Sequence, residues 1–124
     1  MINISDLKNM GYFDAIDAEK DPLKAYSNWV ETKILTSRSE RLVENTLGLV
    51  GEAGEVAEKV KKLIRDKSKF SNKDIIKELG DVMFYVTALA NYHGSDLREV
   101  IEENIEKLES RQARGKLKGN GDDR

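Results

Sequence analysis

Apolar positions recur along this chain at spacings of three and four, the period of an amphipathic helix, and strand-like alternation is nowhere sustained. Pro22 follows Asp21, an N-cap residue with proline at the first helical position, and opens a first helix from about Leu23 to Thr36. The stretch TSRSE, Thr36 to Glu40, reads as a connector, with Ser39 a cap for a long second helix from about Glu40 to about Asp66. KSKFSN breaks that helix. Ser71 caps a third, with Asp74 three residues on in a capping-box position, and Gly94 fits the C′ position at its end. Ser95 caps a fourth, from about Asp96 to Ala113. The expected fold class is all-α, a bundle of three to four main helices.

Residues 1–20 show no sustained period and read as an N-terminal arm. Residues 21–114 form the folded domain, and residues 115–124 form a polar, glycine-rich tail whose order depends on a ligand or a neighbouring subunit. A chain of 124 residues builds only a small core. One subunit is expected to leave Leu23, Val30, Ile34, Val100 and Ile105 uncovered, so the bundle is completed by oligomerisation, as a homodimer or a dimer of dimers. The net charge of −2 gives no bulk drive toward nucleic acid or an anionic membrane. With no cysteine, disulfides and thiolate metal sites are excluded. No apolar run is long enough to span a bilayer, and the beginning MINISDLKNM lacks a signal-peptide core, so a cytoplasmic protein is expected.

The second helix carries an anomaly in LGLVGEAGEVAEKVKK, Leu47 to Lys62: two carboxylates, Glu52 and Glu55, interrupt an apolar run. At about 100° per residue, Asn45, Gly48, Glu55, Lys59 and Lys62 lie within about 80° of Glu52, beside the apolar arc of Leu42, Leu49, Ala53, Val56 and Val60. The third helix repeats the arrangement in IIKELGDVMFYV: Glu78, Asp81 and Tyr85 share a face beside Ile75, Leu79, Val82, Val86 and Leu89. Spacing alone does not mark a site, because eight i, i+3 acidic pairs occur in the chain, several of them on the fourth helix as solvated face. These two pairs differ in interrupting apolar runs on two helices. Packing the two apolar arcs together would bring Glu52, Glu55, Glu78 and Asp81 close, and such carboxylates repel strongly unless cations lie between them. Hard divalent ions take carboxylate oxygens.

At these residues the chain resembles the MazG-like, all-α nucleoside triphosphate pyrophosphatases. Glu52-Ala-Gly-Glu55 and Glu78-Leu-Gly-Asp81 stand where that family has E-x-x-E and E-x-x-D, and the likeness covers about residues 23–115. It implies Mg²⁺-dependent hydrolysis of an NTP or dNTP to the monophosphate and pyrophosphate, with Mn²⁺ able to substitute, in control or cleaning of the nucleotide pool. It implies further that Glu52, Glu55, Glu78 and Asp81 hold the metal, with Glu55 also orienting or deprotonating the water. Asn104, Lys107 and Arg111 resemble the family's N-x-x-K-x-x-x-R segment and share a helix face. With Lys59, Lys62 and Tyr85 they are candidate phosphate contacts; the alternative for each cation is a surface ion pair, and for Tyr85 a core-edge aromatic. Trp29 is a candidate to stack on a base, or else a core or interface residue, and Asn45 is a second candidate base contact. His93 reads as a helix C-terminal residue favoured by the dipole. Gly48, Gly51 and Gly54 each weaken a helix by about 1 kcal/mol relative to alanine, which close approach of a helix or ligand would offset.

Competing chemistries fall on histidine. A ferritin-like di-iron site wants Glu-x-x-His pairs and an HD-type phosphohydrolase wants several histidines, whereas His93 is the single one and lies outside both motifs. No P-loop glycine–lysine run is present. The remaining alternative is a non-catalytic helical dimerisation module or a nucleotide-binding regulatory module. Base identity has no readable code in the sequence.

Overall fold

The computed structural model describes residues 20–67, 69 and 71–122; the arm expected over residues 1–20 therefore lies, but for Lys20, outside the described residues. The described residues fold into four helices: α1 (Pro22–Thr32), α2 (Arg38–Arg65), α3 (Asn72–Tyr92) and α4 (Leu97–Ala113), with no strand among them.

The start signals act as side-chain chemistry dictates. Asp21 Oδ1 accepts from the Leu23 and Lys24 N–H groups, both at 3.2 Å, with Pro22 in the first turn. Ser71 and Asp74 form the reciprocal capping box: Asp74 N–H donates to Ser71 Oγ at 3.2 Å and Ser71 N–H to Asp74 Oδ2 at 3.0 Å. Backbone donors hold both caps charged: the Lys24 N–H is the main cause that lowers the Asp21 pKa, and the Ser71 N–H the main cause for Asp74.

Three boundaries differ from the sequence reading. α1 ends at Thr32, not Thr36; Lys33 N–H turns back to Glu31 and Val30 carbonyls, and the β-branched Ile34 and Thr36 lie beyond the helix. α2 is capped by Ser37, not Ser39, and without a side-chain bond. α4 is capped by Asp96, whose Oδ1 accepts from Glu99 N–H at 2.9 Å. Ser95 is otherwise engaged: its N–H donates to the Ala90 carbonyl at 2.9 Å and closes α3 around Gly94, whose φ of 76° is readily adopted only by glycine.

α2, about 42 Å long for its 28 residues, packs chiefly on α3 as an antiparallel hairpin. Arg41 reaches the Ala88 carbonyl, Gly48 lies under Tyr85 and Lys59 meets Glu78, which fixes the direction. α1 and the first turn of α4 close over the C-terminal half of α3. There the buried core forms from Ala25, Val30, Ala88, Ala90 and Leu97. Val30, expected to be uncovered, is fully buried, whereas Val100 and Ile105 on α4 are exposed as expected. Buried Ser27 ties the helices together: its carbonyl accepts from Asn91 Nδ2 at 2.9 Å and its hydroxyl from Leu97 N–H at 3.3 Å. No helix among the described residues is long and apolar enough to cross a membrane.

Candidate functional site

Glu52 in the middle of α2 and Glu78 and Asp81 near the start of α3 converge, because the antiparallel hairpin sets the two apolar arcs face to face. Each offers a carboxylate oxygen, and the three oxygens lie within 4.8 Å of one another. Glu52 and Glu78 are half-buried and Asp81 is exposed, so the trio opens to solvent on one side. Burial raises the Glu52 pKa, and repulsion from Asp81, Glu78 and Glu55 raises it further. Glu55, one turn on, is exposed and stands outside the trio, though near enough to act on Glu52. An all-oxygen donor set of clustered, partly desolvated carboxylates fits a hard divalent cation such as Mg²⁺ or Mn²⁺; it offers no soft ligand.

Lys59 lies against the trio, its Nζ 3.6 Å from Glu78 Oε1, and tempers the repulsion there. Lys62 is exposed on the same helix. Tyr85 is half-buried one turn beyond Asp81, its ring against Gly48, where an added Cβ would overlap the ring carbons. That contact accounts for Gly48. Nothing lies within 4 Å of the corresponding positions at Gly51 and Gly54, so no second helix approaches them among the described residues. Rings then run from Tyr85 to Phe84 (centroids 5.3 Å apart), to Trp29 (6.2 Å) and to Tyr26 (5.8 Å), so Trp29 belongs to an aromatic cluster between α1 and α3.

The remaining candidates sit apart from the acids. Asn45 is only 3% exposed, its Oδ1 accepting from Arg41 Nε at 3.4 Å one turn back on the same helix, so within the single chain it does not open to solvent. Asn104 and Lys107 are exposed on α4, and Arg111 is buried. Lys107 and Arg111 pair with Asp122 of the tail, at 3.5 and 3.3 Å, and neither bonds to the acid trio among the described residues. His93 is the exposed C-cap of α3.

Sequence reasoning missed two features. Arg41 grips Glu31 through both carboxylate oxygens, donates to the Ala88 carbonyl at 3.0 Å and lies over the Tyr92 ring at 6.0 Å; only its i, i+4 spacing to Asn45 was visible in the sequence. The fold of the tail onto α4 left no signal beyond its glycines.

Two comparisons with known proteins bear on this geometry. The family model of the MazG nucleotide pyrophosphohydrolase domain matches residues 41–115, which include both acidic pairs and all of α4. The Gene 37 protein of Mycobacterium phage L5 is 51% identical over 83 residues, 64% of this chain and 73% of that protein. No solved structure matches.

Proposed function

The chain belongs to the MazG nucleotide pyrophosphohydrolase domain family, and from that premise we propose that it is a Mg²⁺-dependent pyrophosphohydrolase converting an NTP or dNTP to the monophosphate and pyrophosphate, in control or cleaning of the nucleotide pool. The observation that carries the reading is the meeting of Glu52, Glu78 and Asp81 within 4.8 Å on two different helices.

A divalent ion bound there supplies neutralising charge to the triphosphate oxygens and lowers the pKa of water toward neutrality. Glu52, Glu78 and Asp81 are the residues that hold it. Glu55, exposed beside them, orients the attacking water and accepts its proton. Lys59 is the nearest cation and passes from Glu78 to a phosphate oxygen. Lys62, Tyr85, Asn104, Lys107 and Arg111 complete the phosphate contacts, and the Trp29 ring stacks on the base. The catalytic unit comprises residues 21–114. The exposed stripe Val43, Leu47 and Val50 on α2, together with Ile101, Ile105 and Leu108 on α4, supports assembly as a homodimer or dimer of dimers. Such packing would bring α4 of one subunit toward the acids of another.

The test is pyrophosphate release from the ordinary NTPs and dNTPs with Mg²⁺ and with Mn²⁺, each repeated with chelator. Release from at least one substrate, abolished by chelator, is expected. No release from any substrate by folded, metal-supplied protein would overturn the reading and favour a non-catalytic helical module.

A further inference from the structure

Every residue of α4 from Arg98 to Ser110 is exposed, and then Arg111 is only 4% exposed. The segment 115–122 covers it. Gly115, at φ 66°, turns the chain back after the helix, Lys116 N–H donates to the Arg111 carbonyl at 2.6 Å, and Gly121, at φ 84°, turns it again. Arg111 Nη2 then donates to the Gly121 carbonyl (3.3 Å), the Asp122 carbonyl (2.7 Å) and Asp122 Oδ1 (3.3 Å). Lys107, one turn back on the same face, places Nζ 3.5 Å from that same Oδ1.

This arrangement fits the tail imperfectly. Three acceptors crowd one nitrogen that carries two hydrogens, while Arg111 Nε is buried with no hydrogen-bond partner among the described residues. Nε and Nη2 form the edge of the guanidinium that takes two oxygens of one oxyanion in parallel bonds. The Asp122 side chain is 86% exposed, so it leaves without dragging core apart. A tetrahedral phosphate would use the idle Nε, keep Nη2 bonded and bring more charge to Lys107 than one carboxylate does.

We propose that the segment from Gly115 to Asp122 is an intramolecular occupant of a phosphate site formed by Lys107 and Arg111, which a polyphosphate ligand displaces in order to bind. The inference rests on the reading of Lys107 and Arg111 as phosphate contacts. It adds that the chain carries its own competitor for them, which weakens polyphosphate affinity without blocking the site.

The experiment is calorimetric titration of the full chain with inorganic tripolyphosphate in chelator, so that the acid trio and metal contribute no attraction. Asp122→Asn removes the competing charge, and Gly115→Val keeps every charge while straining the turn. Either should tighten binding about two- to fivefold, the range that an exposed ion pair supports, and Arg111→Gln should weaken it. Asp66→Asn, an exposed carboxylate paired with Arg65, controls for net charge and should bind as wild type. Weaker binding in Arg111→Gln with no tightening in either tail variant, or equal tightening in Asp66→Asn, would overturn the competitor and leave the phosphate site standing. Wild-type affinity in Arg111→Gln would overturn both.

Discussion

The two ends of the α2–α3 hairpin are built by opposite logic. At the end where α2 begins, Arg41 joins α2 to α1 and α3, and its guanidinium is fully engaged: on the Glu31 carboxylate, the Ala88 carbonyl and the Tyr92 ring. At the other end Glu52, Glu78 and Asp81 are brought together with one lysine among them, and apolar side chains such as Val50, Ile64 and Ile76 face solvent. Both ends bury charge. Only the first neutralises it internally; the other keeps a cluster of carboxylates open to solvent, which is what the proposed cation site requires.

The largest effect that would break this contrast is on turnover. Glu52→Gln, Glu78→Gln and Asp81→Asn should each lower pyrophosphate release at least about a hundredfold, the scale of a lost electrostatic contact to the transition state, while leaving the helical content intact. Circular dichroism beside steady-state kinetics checks both halves, and full activity in any two of the three contradicts the assignment. Arg41→Ala should do the reverse. Stranding the half-buried Glu31 carboxylate and losing charged hydrogen bonds should cost about 2–3 kcal/mol of stability, seen as a lowered urea midpoint, with metal affinity unchanged in the protein that stays folded.

Smaller effects sharpen the comparison along α2. Gly48→Ala gains about 1 kcal/mol of helix propensity but forces the Tyr85 ring aside, an overpacking cost of about 1–3 kcal/mol. It should therefore be neutral to destabilising by urea denaturation. Gly51→Ala and Gly54→Ala meet nothing among the described residues and should stabilise by about 0.5–1 kcal/mol. Destabilisation at Gly51 or Gly54 would reveal a second subunit against that face. The smallest effect is one of pH. Because the Glu52 pKa is raised by burial and by its acidic neighbours, the metal-free fold loses stability as pH rises through that pKa. Glu52→Gln cannot ionise, so it should melt a few degrees higher than wild type at neutral pH, and the two melting curves should converge near pH 4, below the ordinary glutamate value.

The contrast was half legible in the sequence. The acids interrupt apolar runs at matching positions of two helices, and helical periodicity alone put them at a core edge; three of the four meet, and Glu55 stands outside the trio. The caps at Asp21 and Ser71 were equally readable, since their side-chain bonds are local. What escaped depends on distant partners. The Arg41–Glu31 clamp joins residues on two helices whose packing no spacing specifies. Val30 looks like any other apolar residue on α1, and only the packing of other helices against α1 buries it. The early end of α1 reflects β-branched residues beyond Thr32 that outweigh a continuing apolar period.

Whether Glu52, Glu78 and Asp81 form a divalent-cation site is decided by Mn²⁺ titration of the metal-free protein by calorimetry at neutral pH. Saturable binding is expected in wild type, with affinity reduced at least tenfold in Glu52→Gln and in Asp81→Asn but unchanged in Glu99→Gln, an exposed acid on α4. Binding that is absent in wild type, or equal in all four proteins, would contradict that site.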